Sequence, residues 1–183
     1  MRQARFPRAL VTLTTLVAAL GTAPVARAQP APADFRGEFL HQFDSSMERA
    51  IALAEAVPAE KYSRPAAPGA MPLGRIFAHI ARYNYEYPAR AMGVPAPAGI
   101  DQDTLEQVAE KGRVIALLRR SGDHVRDVVR RMPEAQLARP TTLYGRRVPQ
   151  WAVLFQLIAH MDDHLGQSIA YARASGVVPP WSQ

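Results

Sequence analysis

The sequence has no cysteine, which excludes a disulfide scaffold, thiolate metal sites, a cysteine nucleophile and a lipid anchor on an N-terminal thiol. Any metal must therefore be held by His, Asp or Glu. Acidic residues are missing from the first 28 positions, where Arg2, Arg5, Arg8 and Arg27 lie. Those four produce most of the formal charge of +6; without them the chain has 18 basic residues against 16 acidic ones. A body this close to neutral lacks the many phosphate contacts on which nucleic-acid affinity rests. Alternating strand patterns, internal repeats and long uninterrupted apolar runs are also missing. What is there, 48% hydrophobic and 21% charged residues in 183 positions, suits one folded domain and is too apolar for a disordered chain.

Residues 1–28 follow a secretory plan: a basic start, an apolar stretch from Ala9 to about Leu20, and small residues at Ala26 and Ala28. Thr12, Thr14, Thr15 and Gly21 interrupt that stretch, which falls short of the ~20 apolar residues of a spanning helix. The expectation is a signal peptide cleaved near Ala28, export to the periplasm or medium, and no stable membrane anchor. Without an Arg-Arg pair the general secretion route is favoured over the twin-Arg route. A Pro/Ala spacer covers 29–33, and the folded domain covers 34–180.

Within the domain, Phe35, Phe39, Phe43, Met47 and Ile51 recur at steps of three and four, predicting a first helix with Asp34 as N-cap and Pro58 as stop. After a breaker-rich loop over 57–71, Pro72 begins a second helix through Leu73, Ile76, Phe77 and Ile80; Gly93 closes it and Pro88 bends or shortens its last turn. Asp101 opens a third helix through Leu105, Val108, Leu118 and Val125 to Met132, with Gly122 marking a bend. Tyr144-Gly145-Arg146-Arg147 reads as a turn, even a short hairpin, and Pro149 starts a fourth helix whose apolar side includes Trp151, Leu154, Phe155, Leu157 and Ile158. Four helices with long connections give an all-α four-helix bundle.

Of five histidines, His160 and His164 are spaced i, i+4, so both imidazoles can reach one ion. Bundle cores build metal sites from facing helices, which makes His79, set among Ile76, Phe77 and Ile80, a candidate third ligand, although histidines in such positions are more often simply packed or surface residues. Met161 stands where H-E-x-x-H would have Glu, which removes the usual zinc-protease reading. Asp163 and Gln167 are candidate partners of the ligands, and Tyr83 and Glu86 candidate pocket residues; Asp162 and Asp163 read more readily as a solvated edge, and Tyr83, Tyr85 and Tyr87 as packing or bundle-end residues. His41 lies in a polar stripe with Asp44, Ser45 and Glu48 that could face the site. His124 lies in the Arg-rich, solvated part of helix three, outside it; that run has intervening acids and no interleaved aromatics, so it reads as a charged surface.

Leu157-Ile-Ala-His160-Met-Asp-Asp-His164-Leu-Gly166-Gln167, then Tyr171-Ala-Arg173-Ala-Ser-Gly176 and Pro179-Pro180, resembles the C-terminal signature of the DinB superfamily. Phe77-Ala-His79-Ile80-Ala81 resembles its histidine segment in helix two. The likeness spans about 35–180. It implies a DinB/YfiT-like bundle in up-down-down-up order, with His79, His160 and His164 binding a divalent ion, variously zinc, nickel or iron. It also implies pairing into a homodimer, for which helix one or three has apolar surface to spare. Some members are transferases or isomerases using bacillithiol, mycothiol or glutathione. Such thiols are mainly cytosolic, so export makes a thiol transferase less attractive here, and the expectation is a metal-dependent hydrolase or transferase. The substrate is then a small molecule whose access the loops at 57–71 and 93–100 control. The competing expectation is a non-catalytic bundle that binds metal, a small ligand or a protein partner.

Overall fold

Asp34 to Ser182 are the residues that the computed structural model describes; the expected signal peptide and spacer lie outside them. Helices α1 (Phe35–Ala56), α2 (Leu73–Met92) and α3 (Lys111–Arg131) are followed by a single turn, α4 (Glu134–Leu137). A hairpin of β1 (Pro140–Leu143) and β2 (Arg146–Pro149) then leads into the fourth long helix, α5 (Gln150–Ala174). The hairpin turn needs left-handed backbone at both Tyr144 (φ 49°) and Gly145 (φ 75°), the type I′ geometry that suits two-residue loops. Among the described residues no helix is long and apolar enough to cross a membrane.

Side-chain pairs fix the direction of each helix. Arg126 holds Asp44 at 2.6 Å and Lys111 holds the Val57 carbonyl at 2.8 Å, so α1 and α3 run antiparallel. Arg75, at the start of α2, reaches Glu106 just before α3, whereas Val94, just past α2, shares a cleft with Val128 and Met132 at the end of α3; these two helices are parallel. Phe35 meets Trp151 at one end of α1 and α5, and Lys61 bonds the Ser175 carbonyl at the other. Helix α2 opposes α5, with Tyr83 against His160 and His79 against His164. The order is up-down-down-up. Both α1 and α2 pack chiefly on α3 and α5 and so lie on a diagonal. Their shared core holds Phe43, Met47, Ile76, Phe77, Leu118, Leu154 and Leu157.

Several sequence expectations change. Asp34 adopts left-handed backbone and makes no side-chain cap bond. Helix α2 runs through Pro88 to Met92 and closes with Gly93 at φ 71°, while Val94 N–H reaches back to the Pro88 carbonyl at 3.0 Å. Gly122 makes no break in α3. A Cβ there would meet the Met47 Cε at 3.0 Å, so the glycine permits close approach of α1. Helix α3 starts not at Asp101 but at Lys111, capped by Glu110, whose carboxylate accepts from Gly112 and Arg113 N–H, each at 2.7 Å. Residues before it form a loop with one 3₁₀ turn, Leu105–Gln107. Phe155 faces outward, 66% exposed.

Candidate metal centre

Buried apolar neighbours on α2 and α5 set the three histidines. Ile76, Phe77 and Ile80 lock α2 around His79, while Leu157, Met161 and Leu165 lock α5 around His160 and His164. The ring centroids of His79, His160 and His164 stand 5.1, 4.5 and 4.6 Å apart, and one nitrogen from each lies within 4.8 Å of the others. All three side chains are half-buried.

Two imidazoles are held from behind. His79 Nδ1 lies 2.7 Å from Glu106 Oε1 and His164 Nδ1 lies 2.9 Å from Gln167 Oε1. Donation from each Nδ1–H, to a carboxylate behind His79 and to an amide oxygen behind His164, fixes the ring and leaves the lone pair on Nε2, as outer partners of metal-ligating histidines commonly do. Gln167 in turn donates from Nε2 to the Tyr171 hydroxyl at 3.3 Å. Glu106 also accepts from Arg75 Nε at 3.1 Å and Arg82 Nη1 at 3.3 Å.

These surroundings favour neutral imidazoles. Burial lowers the His79 pKa, an effect only partly opposed by Glu106. Burial, then the two neighbouring imidazoles, pushes His160 down to about 3. Burial would raise the Glu106 carboxyl, but the His79 bond and the two guanidiniums outweigh it and hold the group below its ordinary value. Neutral rings beside an ionised acid form a donor set that suits a first-row divalent ion.

The depressed histidines carry a pH dependence. As pH falls from about 6.5 toward 3, the unfolded chain takes up protons that folded His160 and His79 resist, so stability present above pH 6.5 is lost on acidification. The urea midpoint of metal-free protein should drop between pH 7.5 and 5, and drop less in His160→Gln; equal drops would remove His160 as the cause.

Other expected site residues fall into place differently. Tyr83 lies against both His79 and His160. Glu86 is buried and turned to Arg82 and Arg90; Arg82 Nη2 approaches Glu86 Oε2 at 3.0 Å without hydrogen-bond alignment. Asp163 is exposed and bonds no imidazole, and His41 is exposed on α1, away from the cluster. His124 is not solvated: it is half-buried with its ring 5.2 Å from Tyr85, and burial lowers its pKa. It lines a separate cleft of about 300 Å³ with Val128 and Met132. Glu106 was not among the expected residues, because a helix starting at Asp101 makes it one more polar position on a solvated face. Glu106→Ala should weaken zinc binding by about 10–100-fold while leaving all three ligands in place. A competition titration against a coloured chelator measures this, and unchanged affinity would deny Glu106 that role.

No curated protein matches the chain. A solved DinB-like protein from Bacillus cereus ATCC 10987 superposes with a TM-score of 0.69 at 21% identity, over 79% of this chain and 95% of that one. That likeness carries the fold, and the sequence profile of the DinB superfamily matches residues 42–168, which include all three clustered histidines. The chain belongs to the DinB superfamily.

Proposed function

We propose that this protein holds one divalent ion between His79, His160 and His164 and works as a metal-dependent hydrolase or transferase on a small molecule. The observation that carries this reading is the convergence of three nitrogens from two helices within 4.8 Å, two of the rings being oriented through Nδ1. Three protein donors leave at least one coordination position for water or substrate, as catalytic sites do and closed structural sites do not. Once bound, zinc, nickel or iron would acidify a ligated water or thiol and polarise a substrate oxygen. Around it, Glu106 and Gln167 orient the rings, and the Tyr83 hydroxyl can hold a substrate group.

The test is a pair of measurements on chelated protein. Zinc, nickel or iron(II) should raise the melting temperature by several degrees, reversibly with excess chelator, and at least one loaded form should turn over a member of a panel of esters, amides and activated thiols. Metal stabilisation without turnover of any substrate would leave a binding bundle, and no stabilisation would overturn the reading. Export is proposed from residues 1–28. Mass spectrometry of protein from the periplasm or medium should find Gln29 at the N-terminus, and an intact leader would contradict export by cleavage.

A further inference from the structure

Where the loop from α2 returns along the bundle it leaves a cleft of about 260 Å³ against α3. Leu105 and Val108 line it from the loop, Ala116 and Leu117 from the helix, and none of the three clustered histidines takes part. Leu105 and Leu117 are 7% and 8% exposed, so the deepest part of the lining is apolar. Glu106, which follows Leu105, turns instead to His79.

Two exposed arginines, Arg113 and Arg120, complete the lining, and among the described residues no carboxylate joins them there. They stand two turns apart on one face of α3, about 10 Å along its axis, with Ala116 and Leu117 between them. Elsewhere on the helix Arg119, Arg126 and Arg131 each hold an acid. The guanidiniums of Arg113 and Arg120 hold none among the described residues, because the acids beside them in sequence are engaged. Glu110 gives its carboxylate oxygens to the Gly112 and Arg113 N–H groups, and Asp123 pairs with Arg126 at 2.9 Å. The cleft therefore combines an apolar interior with positive charge that the fold leaves uncompensated.

We propose that this cleft is a second ligand site, for a small elongated molecule with an apolar body and a carboxylate. The body lies over Leu105, Val108 and Leu117, and the arginines at the rim take the carboxylate through the planar fork that suits it. Burial of the chain supplies the affinity, and the unpaired guanidiniums decide the sign of the charge accepted. The site stands apart from the histidine cluster and needs no ion, so it holds or fails independently of the metal reading.

The experiment titrates octanoate, octylammonium and acetate into the full chain by calorimetry at pH 8 and low salt, with chelator present so that no carboxylate is held by an ion. Octanoate should saturate one site, with octylammonium at least about tenfold weaker for want of the charged hydrogen bonds. Acetate should be at least about 100-fold weaker, because it lacks the buried methylenes. Replacing both arginines, Arg113→Gln with Arg120→Gln, should cost octanoate about tenfold and bring it close to octylammonium. Arg130→Gln, outside the cleft, should leave every affinity unchanged, and Ala116→Trp, which fills the cleft from an exposed position, should abolish saturation. Octylammonium or acetate binding as tightly as octanoate, no saturable octanoate binding, or full affinity in the double variant would overturn the proposal. The wild-type preferences decide the matter even where a variant fails to fold.

Discussion

Replacing His160 with alanine should lower zinc affinity by more than about 100-fold, beyond the 10–100-fold that loss of an outer partner costs. His160 is one of three nitrogens gathered within 4.8 Å, and the remaining two come from different helices. Its pKa, about 3, means that no proton competes for the ring near neutral pH, so the whole loss falls on coordination. Competition with a coloured chelator reads the affinity directly. Zinc should also cease to raise the melting temperature of the variant, because stabilisation follows ligand concentration over Kd. A variant that binds zinc as tightly as the parent would place the ion elsewhere.

Phe43→Ala should cost about 3–5 kcal/mol in urea denaturation, whereas Phe155→Ala should stay within about 0.5 kcal/mol. Both phenylalanines lie on apolar stripes in the sequence, and only the packing separates them. Phe43 has no exposed surface, stacks on Phe39 at 5.7 Å and lies under the Arg126 guanidinium. Phe155 borders an open groove with Phe35, Phe39 and Ile158. Comparable losses at the two positions would mean that the α1–α5 face is more enclosed than described.

The contrast between these residues shows where the sequence is readable. On α1 and α2, Phe39, Phe43, Met47, Ile76 and Ile80 recur at helical spacing and all reach the core. The first half of α5 is apolar on several sides, so periodicity alone has no means of turning Phe155 outward. Caps and turns that rest on local chemistry were legible too, among them Pro72 before α2, Gly93 after it and the Tyr144-Gly145 turn.

The missed start of α3 has a topological cause. Apolar spacing at Leu105 and Val108 continues the pattern of the later helix, which makes Asp101 look like an N-cap. Up-down-down-up order, however, makes α2 and α3 parallel, so the chain must travel back along α2, about 30 Å for 20 residues of helix. Residues 93–110 cover that distance as an open loop. Their return path brings Glu106 beside His79, which the letters around position 106 give no sign of. The i, i+4 pair is visible in the spacing and His79 in its place among core-facing residues of α2, joined to the pair by the family resemblance, whereas the carboxylate behind His79 depends on how a long connection is routed. Glu110 illustrates the same limit, since it becomes a cap only once the helix is known to begin at Lys111.

The central claim is that three imidazoles hold one ion with a position left open. X-ray absorption at the zinc edge of the loaded full-length protein tests it most directly. The account predicts three imidazole nitrogens at about 2.0–2.1 Å and at least one further light-atom ligand from solvent, with one imidazole fewer in His160→Ala. Two imidazoles or fewer in the wild type, or an unchanged spectrum in the variant, would contradict it.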